Sequence, residues 1–103
     1  MSKGITNRPV IDGQMFPIAG SFQQVTPAVV SPLTPPVGAK LAMIQVEGAD
    51  LRWRDDGTNP TNVVGMLLED GDTLFYTVND YTKFKMIQAA ATATVNISYY
   101  GAK

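Results

Sequence analysis

The chain has 103 residues, of which 45% are hydrophobic, so it forms one domain with enough apolar material for a core. Its 8 basic and 9 acidic residues give a net charge of −1 and no basic stripe, which argues against a nucleic-acid partner. Cysteine and histidine are both absent, which excludes a disulfide framework, a thiol nucleophile and the commonest zinc ligands. No apolar run reaches the roughly 18 residues of a membrane span, and the first residues lack the apolar core of a secretion signal.

The first part of the chain, residues 1–39, contains six of the seven prolines, so no long helix can run through it. It also contains many large apolar residues, among them Val10, Phe16 and Phe22, which a disordered linker would lack. We therefore expect an extended proline-rich arm over 1–39 that docks on another surface, such as a neighbouring subunit. The alternative is a set of edge strands and loops, with a strand over 21–26, that pack on their own domain.

The remaining residues, 40–103, are predicted to form a compact β domain. Short runs of alternating apolar and polar side chains are separated at close intervals by turns rich in Gly, Asp, Asn and Pro. This spacing indicates an all-β fold, namely a small β-sandwich or jelly-roll-like barrel. The predicted strands cover 40–47, 51–54, 62–68, 73–78, 83–88 and 92–100.

The segment 62–68 is apolar on both faces, so we expect a strand in the centre of a sheet or at a subunit contact. Gly65 within it indicates a bulge or the close approach of another piece of backbone. The residues that follow, 69–72, have the composition of a hairpin turn. These features predict a hairpin that joins 62–68 to the strand over 73–78.

Two pairs of carboxylates raise the question of catalysis, because a glycosidase-like enzyme needs two such groups. Asp55 with Asp56, and Asp70 with Asp72, each flank a glycine in a predicted turn, where aspartate is favoured because it bonds to nearby backbone. Glu69 adds a third oxygen ligand of the kind that calcium takes, but the spacing does not match a calcium-binding loop. We therefore expect no catalytic residues, no metal site and no cofactor.

The aromatic residues allow two interpretations. Exposed aromatics beside acidic or amide side chains would form a platform for sugars, whereas buried ones would fill the core. We favour the core for Trp53, Phe75, Phe84 and Tyr99. Arg52 and Arg54 alternate with Trp53 and so lie on the opposite face of the strand, where they could pair with neighbouring carboxylates or reach a partner protein.

Four motifs follow one another in the compact domain. They are RWRDDGTNPT at 52–61, VVGMLLEDGDTL at 63–74, F-x-x-I-x-A at 84–89 and ATVNISYY at 93–100. Their order resembles small virion proteins of tailed bacteriophages, which carry a similar R-x-R-D-D-G-T-x-P-T turn, a G-M-x-L-x-x-G-x-x-L segment and a closing A-T-V-N-[VI]-x-Y-Y strand. The resemblance covers about residues 42–100 and not the arm. It implies a head- or tail-associated accessory protein that assembles as an oligomer, and its structural motifs transfer no catalytic residue.

The leading hypothesis is therefore a structural bacteriophage virion protein, a capsid decoration (cement) protein that binds and stabilises the head shell. The resemblance implies a homotrimer in the virion, made in the host cytoplasm, with the major capsid protein or another virion protein as partner. The composition predicts no membrane and no nucleic-acid partner. The alternative is a carbohydrate- or receptor-binding module of a phage tail or head fibre. The residues expected to bind the partner are Arg8, Val10, Phe16, Phe22, Arg52 and Arg54.

Overall fold

A computed structural model describes residues 15–77 and 83–102. These residues contain nine β-strands and no α-helix, which confirms the predicted all-β class. In this part of the chain there is accordingly no helix with the length and apolarity to cross a membrane. The strands are β1 (Phe16–Pro17), β2 (Gln23–Val25), β3 (Ser31–Pro32), β4 (Ala39–Glu47), β5 (Leu51–Arg54), β6 (Met66–Leu68), β7 (Thr73–Thr77), β8 (Lys85–Gln88) and β9 (Thr94–Gly101).

The strands form two antiparallel sheets. Sheet A has the order β1-β9-β4-β7, with β2 also paired to β9, and sheet B has the order β3-β8-β5-β6. The two longest strands, β4 and β9, lie side by side in sheet A, with Ile44 opposite Ile97 and Val46 opposite Val95. Their β-branched residues suit a pleated surface that is covered on one side.

Several chain segments cross between the sheets along one side of the protein, which we call the corner. In sheet A, β4 pairs with β7 and β9, and in sheet B its continuation β5 pairs with β6 and β8. The connections 48–50, 69–72 and 89–93 therefore meet at the corner, where the Ala89 N–H donates to the Asp50 carbonyl and the Gly71 N–H donates to the carbonyl of Val46 at the end of β4. The prediction of a hairpin turn at 69–72 is wrong, because β6 and β7 belong to different sheets.

Carboxylates hold the corner together. Asp70 Oδ1 accepts a hydrogen bond from the Gly48 N–H at 2.9 Å, and Asp50 Oδ1 accepts one from the Asp70 N–H at 2.9 Å. Asp72 Oδ2 accepts a third from the Glu69 N–H at 3.0 Å. Backbone donors that turn away from the sheet ladders thus find partners, and these aspartates have the local role that the turn interpretation gave them.

The two sheets share one core. Alternate residues of β4 and β9 point into it, as the period of two in a strand requires. Its members include Ala42, Ile44, Val46, Val95, Ile97 and Tyr99 from sheet A, together with Leu51, Leu68, Phe84 and Met86 from sheet B or next to it. Burial of this set supplies the apolar area that stabilises the fold.

Residues 15–39 pack on the rest of the domain. β1 and β2 pair with β9, and β3 pairs with β8. Pro27 and Leu33 are buried. Of the two interpretations of the proline-rich region, edge strands and loops on the same domain describe 15–39. Residues 1–14 of the predicted arm lie outside the described residues.

Tyr99 ties the proline-rich region to the core. Its hydroxyl donates a hydrogen bond to Gln23 Oε1 at 3.0 Å and accepts one from the Thr34 N–H at 3.2 Å. Burial raises the pKa of the Tyr99 phenol, an effect that the hydrogen bond from Thr34 opposes. Because the buried Tyr99 hydroxyl both donates and accepts a hydrogen bond, it holds residues 23–34 against sheet A.

The aromatic predictions hold for three residues out of four. Phe84 and Tyr99 are fully buried, and Trp53 is half-buried against the core with its ring stacked on Phe84 at a centroid distance of 5.2 Å and an angle of 17°. The prediction for Phe75 is wrong. It lies opposite Met43, and both side chains alternate with core residues, so they project from the outer face of sheet A.

The prediction of a central strand over 62–68 is also wrong. Only Met66–Leu68 forms a strand, β6, and it lies at the edge of sheet B, paired with β5 alone. The apolar residues that suggested two covered faces are instead largely exposed. The other possibility, a subunit contact, stays a prediction and bears on function.

Candidate docking site

The loop between β5 and β6, residues 55–65, has a conformation fixed by its own hydrogen bonds. Asp56 Oδ1 accepts from Arg54 Nε at 3.0 Å and from the Thr58 N–H at 3.3 Å. Gly57 between them has a φ of 88°, a conformation that glycine adopts without steric cost. The sequence Asp-Asp-Gly-Thr thus forms a tight turn closed by an aspartate side chain.

A second turn follows at Thr61. Its N–H donates to the Val64 carbonyl at 2.9 Å, and its Oγ1 accepts from the Val64 N–H at 2.9 Å and the Val63 N–H at 3.3 Å. Pro60, directly before it, is fully buried. The N–H groups of Thr61, Val63 and Val64 are therefore bonded within the loop, while the side chains of the two valines are exposed.

Gly65 returns the loop to sheet B. Its φ is 142°, and a Cβ at this position would lie 3.1 Å from the Trp53 carbonyl oxygen and 3.2 Å from Pro60 Cβ. Arg52 Nη1 donates to the Gly65 carbonyl at 3.0 Å, while the buried Arg52 Nε has no partner among residues 15–77 and 83–102. The glycine predicted to mark a close backbone approach does so, and Arg52 fastens the loop to β5.

The loop and β6 expose four large apolar side chains, Val63, Val64, Met66 and Leu67, which we call the apolar strip. These side chains are 70%, 50%, 59% and 47% exposed. The strip runs around the edge of sheet B, because Met66 lies on the Trp53 face of β6 and Leu67 on the Arg52 face.

No residue in 62–68 is charged, and the outer edge of β6 is unpaired in the described structure. Edge strands are commonly protected from pairing with another chain by proline or by charged residues. Here β1 contains Pro17 and β3 contains Pro32. The strip has neither protection.

Charges gather next to the strip. The hydrogen bond from Arg54, supported by that from the Thr58 N–H, lowers the pKa of the Asp56 carboxyl to about 2. Tyr76 Oη donates to Asp55 Oδ2 at 3.0 Å. Each carboxylate of this predicted pair thus has its own structural partner. Among the described residues, no three acidic side chains converge where a metal ion could sit.

A second exposed surface lies on the outer face of sheet A. We call it the outer groove, a depression of about 490 Å³ lined by Phe22, Met43, Gln45, Thr73, Asn96 and Ser98. Phe22 is 62% exposed. Asn96 donates to Gln45 Oε1 at 3.2 Å and, at the border of the groove, to Glu47 Oε2 at 2.9 Å. The lining itself carries no charged residue.

The predicted partner-binding residues do not form one site. Phe22 lies in the outer groove of sheet A, and Phe16 is half-buried in β1. Arg52 and Arg54 project from the outer face of sheet B, because Leu51 and Trp53 on the same strand point to the core. Arg8 and Val10 lie outside the described residues.

Sequence reasoning named 62–68 as a possible subunit contact but did not count its residues among the partner-binding residues. The signal was present, because 62–68 is apolar on both faces and follows a rigid turn motif. No family model, curated protein or solved structure matches the chain. The geometry of the strip and the groove therefore carries the functional argument.

Proposed function

We propose that this chain is a structural virion protein of a tailed bacteriophage that decorates the capsid and stabilises the head shell as a homo-oligomer. The observation that carries the proposal is the apolar strip, whose large side chains are exposed on a loop with internally bonded polar groups. Such a surface suits contact with another protein, because its burial removes apolar area from water. The virion assignment rests on the resemblance of the motifs within residues 52–100.

In this proposal the two sheets pack as a small β-sandwich or jelly-roll-like barrel around their shared core. Residues 1–14 are proposed to contribute to contact with the major capsid protein.

The carbohydrate- or receptor-binding alternative needs an exposed aromatic platform. Trp53 is stacked on Phe84 and touches Tyr76 edge-on at 6.1 Å, so it belongs to the packing of the domain. Among the described residues, Phe22 is the one aromatic side chain that is mostly exposed. We therefore rank capsid decoration first.

Co-sedimentation with purified heads of the phage that carries this gene tests the proposal. Wild-type protein should be retained, and Leu67→Glu should be retained less, because it places a carboxylate in the apolar strip. Val37→Glu is the matched control, since Val37 is 100% exposed and lies outside the strip. Deletion of residues 1–14 should also weaken retention while the β-domain stays folded.

Two results would contradict capsid decoration. One is failure of the wild-type protein to bind heads at all. The other is equal retention of Leu67→Glu and Val37→Glu on heads, which would show that the apolar strip takes no part in binding. Specific binding on a glycan array without retention on heads would favour the carbohydrate-binding alternative.

A further inference from the structure

We infer that the Asp56–Gly57 bond is a site of spontaneous isoaspartate formation and that Arg54 controls the rate of this modification. The site lies at the start of the loop that presents the apolar strip. The inference does not depend on the proposed function, because the reaction takes place in the free protein.

The reaction needs only the chain and water. The Gly57 nitrogen attacks Asp56 Cγ, so an N–Cγ bond forms while the bond from Cγ to the carboxyl hydroxyl breaks, and the hydroxyl leaves with the amide proton as water. Water then opens the five-membered succinimide. Attack at the main-chain carbonyl breaks its bond to nitrogen and gives isoaspartate, whereas attack at Cγ restores aspartate. Glycine favours ring closure because it has no Cβ to obstruct the approach.

The described residues contain two Asp-Gly pairs that differ in hydrogen bonding. Asp56 and Asp70 are both exposed, and the glycines that follow them have similar φ values, 88° at Gly57 and 92° at Gly71. The Gly71 N–H donates to the Val46 carbonyl at 2.8 Å, which directs that nitrogen's proton into the corner. In the described part of the chain the Gly57 N–H has no hydrogen-bond acceptor. Because the attacking nitrogen must turn toward Cγ and give up its proton, we expect ring closure at Asp56 and not at Asp70.

Arg54 opposes ring closure at Asp56. Its Nε donates to Asp56 Oδ1 at 3.0 Å, and its Nη2 forms an ion pair with Oδ2, so two contacts fix the plane of the carboxylate. These contacts, together with the hydrogen bond from the Thr58 N–H, lower the pKa of the Asp56 carboxyl to about 2. An ionised carboxylate has no hydroxyl to lose as water. The wild-type protein should therefore be modified slowly, at a rate that Arg54 determines.

The modification alters the loop itself. In isoaspartate the main chain runs through the former side-chain methylene, so the backbone gains one atom and the free carboxylate moves to Cα. Asp56 Oδ1 closes the native turn by accepting from the Thr58 N–H at 3.3 Å, and the displaced carboxylate cannot reproduce that bond with the same ring size. Isoaspartate at 56 thus changes the turn from which the apolar strip extends.

Peptide mapping by mass spectrometry of the full chain, incubated at neutral pH, tests the inference. Cleavage after Glu47 and Glu69 places residues 56 and 70 in separate peptides. Arg54→Gln should accelerate isoaspartate formation at 56 by about tenfold or more, because the protonated fraction rises by at least that factor when the pKa returns from about 2 to 3.8. Residue 70 should stay unmodified in both proteins, which also shows that the variant remains folded, since unfolding would release the Gly71 N–H.

Arg52→Gln is the matched control. It releases the other end of the same loop, at Gly65, and leaves the contact between Arg54 and Asp56 intact. Its rate of modification at 56 should equal that of the wild type. Equal acceleration in Arg52→Gln and Arg54→Gln would overturn the inference by making loop mobility the cause. Unchanged modification at 56 in Arg54→Gln, or equal modification at 56 and 70 in that variant, would overturn it as well.

Discussion

Arg52 Nη1 donates a hydrogen bond to the carbonyl of Gly65 at 3.0 Å, and this bond joins the end of the β5–β6 loop to the strand where the loop begins. Arg52 projects from the outer face of sheet B, and Gly65 has a φ of 142° that brings its backbone against β5. The apolar strip lies on both sides of Gly65 in the sequence. Its presentation therefore depends on a polar contact beneath it.

Replacement of Arg52 by leucine should loosen the strip. The Gly65 carbonyl would lose its charged donor, so we expect the free energy of unfolding to fall by about 1–2 kcal/mol and amide exchange at 63–66 to accelerate. Chemical denaturation and hydrogen exchange measure the two effects. Arg54→Leu is the matched control, because Arg54 bonds to Asp56 and not to the strip. Unchanged exchange at 63–66 in Arg52→Leu would contradict this role.

Gly65→Ala should destabilise the domain more than Gly20→Ala. Both glycines have a positive φ, 142° and 73° respectively, so both substitutions strain the backbone. At Gly65 the new Cβ would also meet the Trp53 carbonyl at 3.1 Å and Pro60 at 3.2 Å, whereas at Gly20 no atom of the described residues lies within 4 Å. We expect a cost of about 1–3 kcal/mol at Gly65, measured by thermal or chemical unfolding. Equal costs at the two sites would show that the loop does not close on β5.

Trp53→Ala should remove the packing of a β5 side chain against Phe84 and Tyr76 in the core. The ring stacks on Phe84 at 5.2 Å and meets Tyr76 at 6.1 Å. Because Trp53 is half-buried, we expect a loss near the lower end for large aromatics, about 3 kcal/mol. Phe22→Ala, at a site 62% exposed, is the control and should change stability little. A loss below about 0.5 kcal/mol for Trp53→Ala would contradict the packing.

The ion pair of Arg54 and Asp56 should be visible in a pH titration. The hydrogen bond from Arg54 lowers the pKa of Asp56 from an ordinary 3.8 to about 2. A lowered folded-state pKa means that the pair stabilises the turn fully above pH 4 and that this contribution disappears as the pH falls through 2. Carboxyl chemical shifts should give a midpoint near 2 in the wild type and a higher one in Arg54→Gln. Arg52→Gln should leave the midpoint in place, and a wild-type midpoint near 3.8 would contradict the pairing.

Local pattern predicted the parts of the fold that local chemistry determines. Strict alternation marked β4 and β9, and the turn residues Gly57 and Pro60 marked the loop after β5. The corner was not predictable in this way, because the turn at 69–72 has the same composition whether its flanking strands pair with each other or lie in different sheets. The edge position of β6 depends on the partners of β5, which are distant in sequence.

The candidate site was predicted only in part, because it too depends on contacts between residues that are distant in sequence. An apolar segment such as 62–68 indicates that both faces are covered, but the cover can come from the same chain or from another. The arginines were placed on the correct face by alternation with Trp53. Their partners, Gly65 and Asp56, were fixed by the loop conformation, which the spacing of residues alone did not specify.

Hydrogen exchange of the full chain, free and bound to purified phage heads, tests the central claim that the apolar strip is the docking surface of a virion protein. The strip amides, at residues 63, 64, 66 and 67, should become protected on binding. Exposed residues outside both surfaces, such as Val37, should exchange at the same rate in the two states. Retention of the protein on heads with unchanged exchange across the strip would contradict the claim.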